Sequence, residues 1–336
     1  MNSERSISSD FIRELPKTET HLHLEGALPW YLLMEAKPDC FDSHPFFREV
    51  DFRYNSFEEF ESILIDHALA FFDSAESYYE ASRAIFKKQL QQNIKYVEIS
   101  FHAGMLEFLK IPGPEIIAAI KDAIPADLEV RIFLGMSRNS YTPYLGPLLE
   151  DAAENWDFLA GIDLHGLESI PMEGWTKPLW KKAGQNGKIL KAHAGEFGPA
   201  ENVRYAIQEL GVRRIQHGTL AVEDQDVINL AKDNNVTFDQ CPISNYKLRV
   251  IETWEDHPLP RLISEGLLCT VSTDDPLSFN NSLLDEYQVC HEKLGLCLSD
   301  LKGLAVNGFA VADVSSEIRD HWINEIESLS KKHGIS

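Results

Sequence analysis

Short apolar runs rich in β-branched residues recur at Lys17–Leu24, Tyr96–Phe101, Leu128–Gly135, Phe158–Leu164, Ile189–Ala194, Arg214–His217, Val236–Gln240 and Leu268–Ser272. Runs this short, bounded by turn-forming residues, read as strands. Between most of them the apolar positions recur every three to four residues, as at Ser77–Gln91, Pro114–Ala123, Ala200–Leu210, Glu223–Asn234 and His257–Glu265. That is the period of a helix with one buried face. Strand and helix therefore alternate. Stretches such as Tyr-Val-Glu-Ile-Ser-Phe at 96–101 and Val-Arg-Ile-Phe-Leu-Gly at 130–135 suit strands covered on both faces, which means parallel pairing with helices as the crossovers. Eight such units predict a closed (β/α)8 barrel, with a doubly wound open sheet as the competing arrangement.

Two regions depart from the repeat. Pro38 to Asp73 intervenes between the first two strands and carries Phe41, Phe46, Phe47, Phe52, Tyr54, Phe57, Phe60, Phe71 and Phe72. A helical insertion over the strand ends could roof a pocket for a flat, apolar ligand; packing of the insertion on itself explains the same composition. From Asn281 to Ser336 the pattern reads as extra helices closing the barrel, the last starting near Ser315-Ser316-Glu317, where a serine can cap the first turn. No low-complexity stretch or linker interrupts residues 1–336, so one domain is expected.

Composition narrows the partners rather than the fold. A formal net charge of -22 repels phosphate backbones and acidic lipid surfaces, so neither nucleic acid nor membrane is an expected partner. A small neutral or weakly charged molecule is. Cys40, Cys241, Cys269, Cys290 and Cys297 form no Cys-x-x-Cys pair and are odd in number, which fits free thiols in a reducing compartment. Residues 1–20 lack the apolar core of a signal peptide, and the expected location is cytoplasmic.

Candidate chemistry begins on the first strand, in Thr20-His21-Leu22-His23-Leu24-Glu25-Gly26. Histidines two apart on an extended strand point to one face and can reach one metal ion, yet a zinc site needs about two further ligands. The later strands supply them. His193 ends the fifth strand, His217 ends the sixth, and Asp274 with Asp275 follow the eighth, and in a (β/α)8 barrel the chemistry sits at these C-terminal ends. Histidines and a carboxylate converging there make a reasonable zinc shell, with a further histidine and carboxylate beside it.

The blocks PKTETHLHLEG at 16–26, HAGE at 193–196, QHG at 216–218, CPISN at 241–245 and STDDP at 272–276 resemble, in order and approximate spacing, those of the adenosine/adenine deaminase family of the amidohydrolase superfamily. The resemblance implies a TIM barrel and hydrolytic removal of the 6-amino group of a purine. It implies one Zn2+ held by His21, His23, His193 and Asp274, and catalytic roles for Glu196, His217 and Asp275. Zinc would make a water acidic enough to attack C6 near neutral pH, Glu196 would protonate ring N1, and His217 and Asp275 would orient the water, Asp275 also being able to meet N7. Gly166 would bring its backbone N–H to purine N3.

Each role has a plainer counterpart. Glu196 could stabilise the start of the next helix, opened by Gly198-Pro199, and Asp275 before Pro276 could be a turn residue. Cys241 fits a structural Cys-Pro turn rather than the metal shell, with Ser244 and Asn245 shaping the same loop. His102 suits a wall or substrate contact, and His165 departs from the small residue expected before Gly166. Substrate identity divides the signals. Glu25 stands where adenosine-specific relatives usually carry a sugar-facing Asp and, with Cys-Pro-Ile-Ser-Asn, resembles the adenine-specific branch; the stretches at 96–101 and 161–164 resemble the nucleoside branch. An adenosine-type nucleoside, including a 5′-modified one such as aminodeoxyfutalosine, is the favoured expectation, with free adenine as the alternative. A non-purine amidohydrolase or a silent binding barrel is more remote, since Glu196, His217 and Asp274 are all present.

Overall fold

The computed structural model describes residues 2–335. Its strands are β1 (Lys17–His23), β2 (Ile94–His102), β3 (Glu129–Ser137), β4 (Leu159–His165), β5 (Ile189–Ala194), β6 (Arg214–His217), β7 (Thr237–Gln240) and β8 (Leu268–Val271). They lie side by side in chain order, each parallel to the next. Closure comes from a parallel bridge between Leu22 and Asp274. There His23 N–H donates to the Asp274 carbonyl at 3.1 Å, and Asp274 N–H donates to the His21 carbonyl at 3.2 Å. This seam excludes the doubly wound sheet. It also places three of the candidate metal ligands on the residues that shut the barrel.

The strands divide their two faces sharply. Val97, Ile99, Phe101, Ile132, Leu134, Ile162 and Ile215 are buried in one continuous apolar core with residues of the surrounding helices. Each such side chain contributes about 1.5–3 kcal/mol on burial, so this outer layer supplies much of the cohesion and leaves the interior free for polar groups. Glu98, Lys191, Arg214 and Asp239 occupy that interior, all buried. Arg214 grips Glu98 at 3.0–3.1 Å and Asp239 at 3.0–3.2 Å. Lys191 Nζ pairs with Glu98 and donates to the Thr20 carbonyl at 2.6 Å.

Strand boundaries fall within a few residues of the pattern, and the C-terminal helix Ser316–Lys332 starts as expected, Ser315 Oγ accepting from Ile318 N–H at 3.3 Å. The helix Asn2–Glu14 was not anticipated, because its sequence is largely polar. It is tied to the barrel by Phe11 and Leu15, both buried, and by Lys17, whose ammonium donates to the Ile12 and Leu15 carbonyls at 2.8 and 2.6 Å. Within the insertion, the helix Phe57–Phe71 begins at Ser56, which accepts from Glu59 N–H. Phe60 stacks on Phe279 at 5.3 Å and Phe57 meets Phe197 edge-on. The aromatics both pack together and wall the cavity described next.

Candidate metal centre and cavity

His21 and His23 leave β1 beside a bulge: Glu19 pairs with Val97 and Leu22 with Ile99, so β1 spends one residue more than β2 over this stretch. Bulges re-aim side chains at sheet edges and active sites. Here the Nε2 atoms of His21, His23 and His193 come within 3.0–3.3 Å of one another. Asp274 Oδ1 lies 3.3 Å from both His21 and His23.

Three ring nitrogens so placed do not satisfy one another. His193 Nδ1 faces the Leu164 carbonyl at 3.1 Å, a pure acceptor, so the neutral ring carries its proton there and bares Nε2. His23 Nδ1 is 3.0 Å from Ser100 Oγ and His21 Nδ1 is 3.4 Å from Cys241 Sγ. With the outer nitrogens occupied, lone pairs and a carboxylate oxygen converge on one point, an arrangement that a cation relieves. Five of the six separations, 3.0–3.3 Å, match the roughly 3.3 Å edge of a tetrahedron with bonds of about 2.0–2.1 Å, the zinc–imidazole distance. The donor set therefore fits a divalent metal. Cys241 stands behind His21 and outside the quartet, consistent with its exclusion from the shell.

The electrostatics point the same way. Burial would depress His23, but Asp275 and Asp274 outweigh it and push the imidazole up to about 9. Asp274 sits well below the usual carboxylate range because His21, His23 and His217 outweigh its burial. Its other oxygen accepts from Ser244 Oγ at 2.7 Å. The backbone is strained at two of these positions, with φ +60° at His217 and +67° at Asp274, a conformation that costs about 1–3 kcal/mol and collects at functional sites.

Beside the quartet lie Glu196, His217 and Asp275, all buried. His217 Nε2 is 3.5 Å from Glu196 Oε1 and 3.7 Å from Asp274 Oδ2. Burial, then the charges of Asp274, Glu168 and Asp275, push the Glu196 carboxyl well up. Asp275 is raised by burial and by Asp274, and its Oδ1 has no hydrogen-bond partner. The backbone of Asp275 opens the turn Pro276–Phe279 while its side chain caps nothing, so the turn leaves the carboxylate free to face the cavity. Gly26 lets that carboxylate approach, since a Cβ there would stand 1.6 Å from Asp275 Oδ1.

The role of helix-start carboxylate belongs to a residue that pattern reading missed. Glu168, two positions after Gly166, accepts from the backbone N–H groups of Gly195, Glu196, Phe197 and Gly198 at 2.7–2.9 Å and from Asn202 Nδ2 at 2.9 Å. Arg138 lies 3.5 Å from it and donates to the carbonyls of Gly166 and His193 at 3.0 and 3.1 Å. One buried ion pair thus sets three loops of the site. Nothing in the sequence marks it, because its partners become neighbours only across the barrel.

A cavity of about 330 Å³ opens from these groups, lined on one side by Phe57, Phe60 and Leu64 and reaching Glu25, His102 and Gly166. Among the described residues no lysine or arginine lines it. Glu25 accepts from Tyr78 Oη at 2.8 Å and from His102 N–H at 3.2 Å, and burial raises its carboxyl. At Gly166 the demand for glycine comes from φ +78°, not from crowding: a Cβ would meet only Ser137 at 3.4 Å. His102 accepts from Gly104 N–H at 3.0 Å through Nδ1, with Nε2 3.2 Å from Ser137 Oγ. His165 stacks on His23 at 5.3 Å.

Comparison with known proteins adds a lineage to this geometry. The family model described as Adenosine deaminase matches residues 16–329. The adenine deaminase of Acinetobacter baylyi is 28% identical, the match covering 96% of this chain and 99% of the relative. That of Zymomonas mobilis is 30% identical, covering 89% and 91%. Among solved structures, the adenine deaminase from Arthrobacter aurescens superposes with a TM-score of 0.83 at 23% identity, covering 94% of this chain and 99% of that one. A zinc-bound amidohydrolase from Burkholderia ambifaria gives 0.81 at 20%, covering 97% and 94%.

Proposed function

Because the chain belongs to the adenosine deaminase family, we propose that it removes the 6-amino group of adenine by hydrolysis, with zinc held by His21, His23, His193 and Asp274. The observation that carries this reading is the convergence of three imidazoles and a carboxylate, a buried carboxyl of raised proton affinity and a carboxylate oxygen without a partner on one cavity. Zinc bound there supplies a water acidic enough to attack near neutral pH.

The chain's own groups do the rest. Glu196, kept protonated by burial and three nearby carboxylates, donates to ring N1 and makes C6 electrophilic. The raised proton affinity of Asp275 suits its bare Oδ1 to take a proton from the attacking water and return it to the departing amine. A C–O bond forms at C6, the C–N bond breaks, and ammonia leaves a 6-oxo product as the remaining proton on the C6 oxygen is given up to restore the acid form of Glu196. Gly166 offers its backbone N–H to N3, and the face of Phe57–Phe71 covers the ring and excludes water.

Free adenine takes precedence because the curated relatives similar over nearly the whole chain carry the name adenine deaminase. This moves the weight away from the nucleoside favoured on sequence. A 6-aminopurine nucleoside is the second reading, supported by the length of the cavity toward Glu25 and His102. Phosphorylated substrates are disfavoured, since no described lysine or arginine lines the cavity and Glu25 does. The test is a panel of adenine, adenosine, 2′-deoxyadenosine and 5′-modified adenosines, followed by absorbance. Preference for adenine supports the first reading, and turnover of nucleosides alone replaces it with the second. Glu196→Gln should retain metal and lose kcat by at least about a hundredfold.

A further inference from the structure

His217 is held from behind by residues that the reaction as described does not use. Its Nδ1 lies 3.1 Å from Asn245 Nδ2. The carboxamide's other end, Oδ1, lies 3.2 Å from His257 Nε2 and accepts from Thr219 Oγ1 at 3.4 Å. His257 Nδ1 in turn accepts from Leu259 N–H at 3.1 Å. Asn245, His217 and His257 are all buried.

The direction of every bond follows from the last one. A backbone N–H can only donate, so His257 Nδ1 must be bare, and burial, which holds this imidazole down to about 3, keeps the ring neutral with its one proton on Nε2. That proton fixes the oxygen of Asn245 toward His257 and the amide nitrogen toward His217. Facing an N–H donor, His217 Nδ1 must accept, and the ring proton stands on Nε2, on the side of Glu196 and Asp274. The choice of tautomer at the cavity is thus dictated by a main-chain amide at the start of the helix Leu259–Ser264.

We propose that Asn245 and His257 are positioning residues that lock His217 in the Nε2–H tautomer, so that it meets the attacking oxygen as a hydrogen-bond donor rather than as a base. The catalytic half of this proposal rests on the deaminase reading above; the tautomer itself does not. A triad histidine held in the wrong tautomer loses orders of magnitude in rate with its geometry intact, which sets the scale of the effect.

The test is the 15N-histidine spectrum of the full-length, zinc-loaded protein, with His217 assigned by the signal missing in His217→Gln. Wild type should show the His217 proton on Nε2; a proton on Nδ1 overturns the relay whatever the activity. Asn245→Asp replaces the donor by an acceptor. It should move the proton to Nδ1 and lower kcat by at least about a hundredfold, with KM and metal content within about twofold. His257→Phe, which frees the amide to turn, should cost about tenfold in kcat, while His257→Gln, which restores a donor, should stay within about threefold of wild type. Equal losses in the two His257 variants, or an Asn245→Asp protein with the proton still on Nε2, would overturn the assignment in favour of packing. A wild-type Nε2 proton in a protein that deaminates no 6-aminopurine would support the relay and sink the reading of function.

Discussion

Two buried polar clusters share the interior of this barrel, and they are built on opposite terms. Deep inside, Glu98 and Asp239 face Arg214 and Lys191, so the ionic charges balance. Threonine and glutamine side chains take up further lone pairs: Thr270 Oγ1 and Gln216 Nε2 donate to Asp239 at 2.6 and 2.8 Å. At the rim, His21, His23, His193 and Asp274 point at one another with no described lysine or arginine between them. The deep cluster matches its charges within the protein and leaves only Arg214 Nε and Gln216 Oε1 without partners. The rim cluster is arranged for a ligand, and burial by itself does not distinguish a structural polar group from a functional one; the unmet demand does.

That contrast sets the expected effects of breaking each. Largest is the rim: His193→Ala or Asp274→Ala should abolish metal binding and lower kcat/KM on the order of a thousandfold or more, while the circular dichroism of the barrel persists. Atomic absorption beside a rate assay reads both. Next is the deep cluster. Arg214→Met removes the cation that faces Asp239, leaves Glu98 with Lys191 alone, and should cost about 3–5 kcal/mol in denaturant unfolding. An Arg214→Met protein as stable as wild type would show that the deep cluster is not the closed unit described.

The clusters also respond to acid and base with opposite sign. Burial would raise Glu98, but Arg214 and Lys191 outweigh it and hold the carboxyl at about 2. A folded pKa below the ordinary 4.5 stabilises the protein fully above that value and loses its contribution as pH falls toward 2. Glu196 is displaced upward and must be protonated to act, so kcat should fall as pH rises through its elevated pKa. Unfolding on the acid side and inactivation on the basic side, measured on one preparation, would separate the two. The smallest effect belongs to the rim's support: Ser244→Ala removes the 2.7 Å bond to Asp274 and should weaken metal affinity about 10–100-fold, read by competition with a chelating dye.

Much of this was legible before any coordinates. The parallel strands announce themselves because both faces are covered, which makes runs such as 96–101 continuously apolar apart from inward-facing positions, and the barrel's rim is where strand-end histidines must gather. Asn2–Glu14 escaped because it buries only a few apolar side chains and its remaining positions are polar. Arg138 and Glu168 escaped for another reason: a buried ion pair acts on the backbone of loops remote in sequence, and local pattern carries no trace of it. Asn245 was visible as a loop residue, but its partnership with His257 depends on amide orientation, which only the hydrogen-bond chain ending at Leu259 fixes. Substrate choice was legible in Glu25 only as a conflict, since the residue reports the chemistry of one wall and not the length of the cavity.

On the proposed function, the rim's unmet demand is for a metal that serves the deamination of a 6-aminopurine. Ammonia released from adenine, measured against bound zinc as a chelated preparation is titrated back, tests it most directly. Activity should rise in proportion to zinc and saturate at one ion per chain. A protein that takes up one zinc and releases no ammonia from adenine or any adenosine, or one equally active without metal, would contradict it.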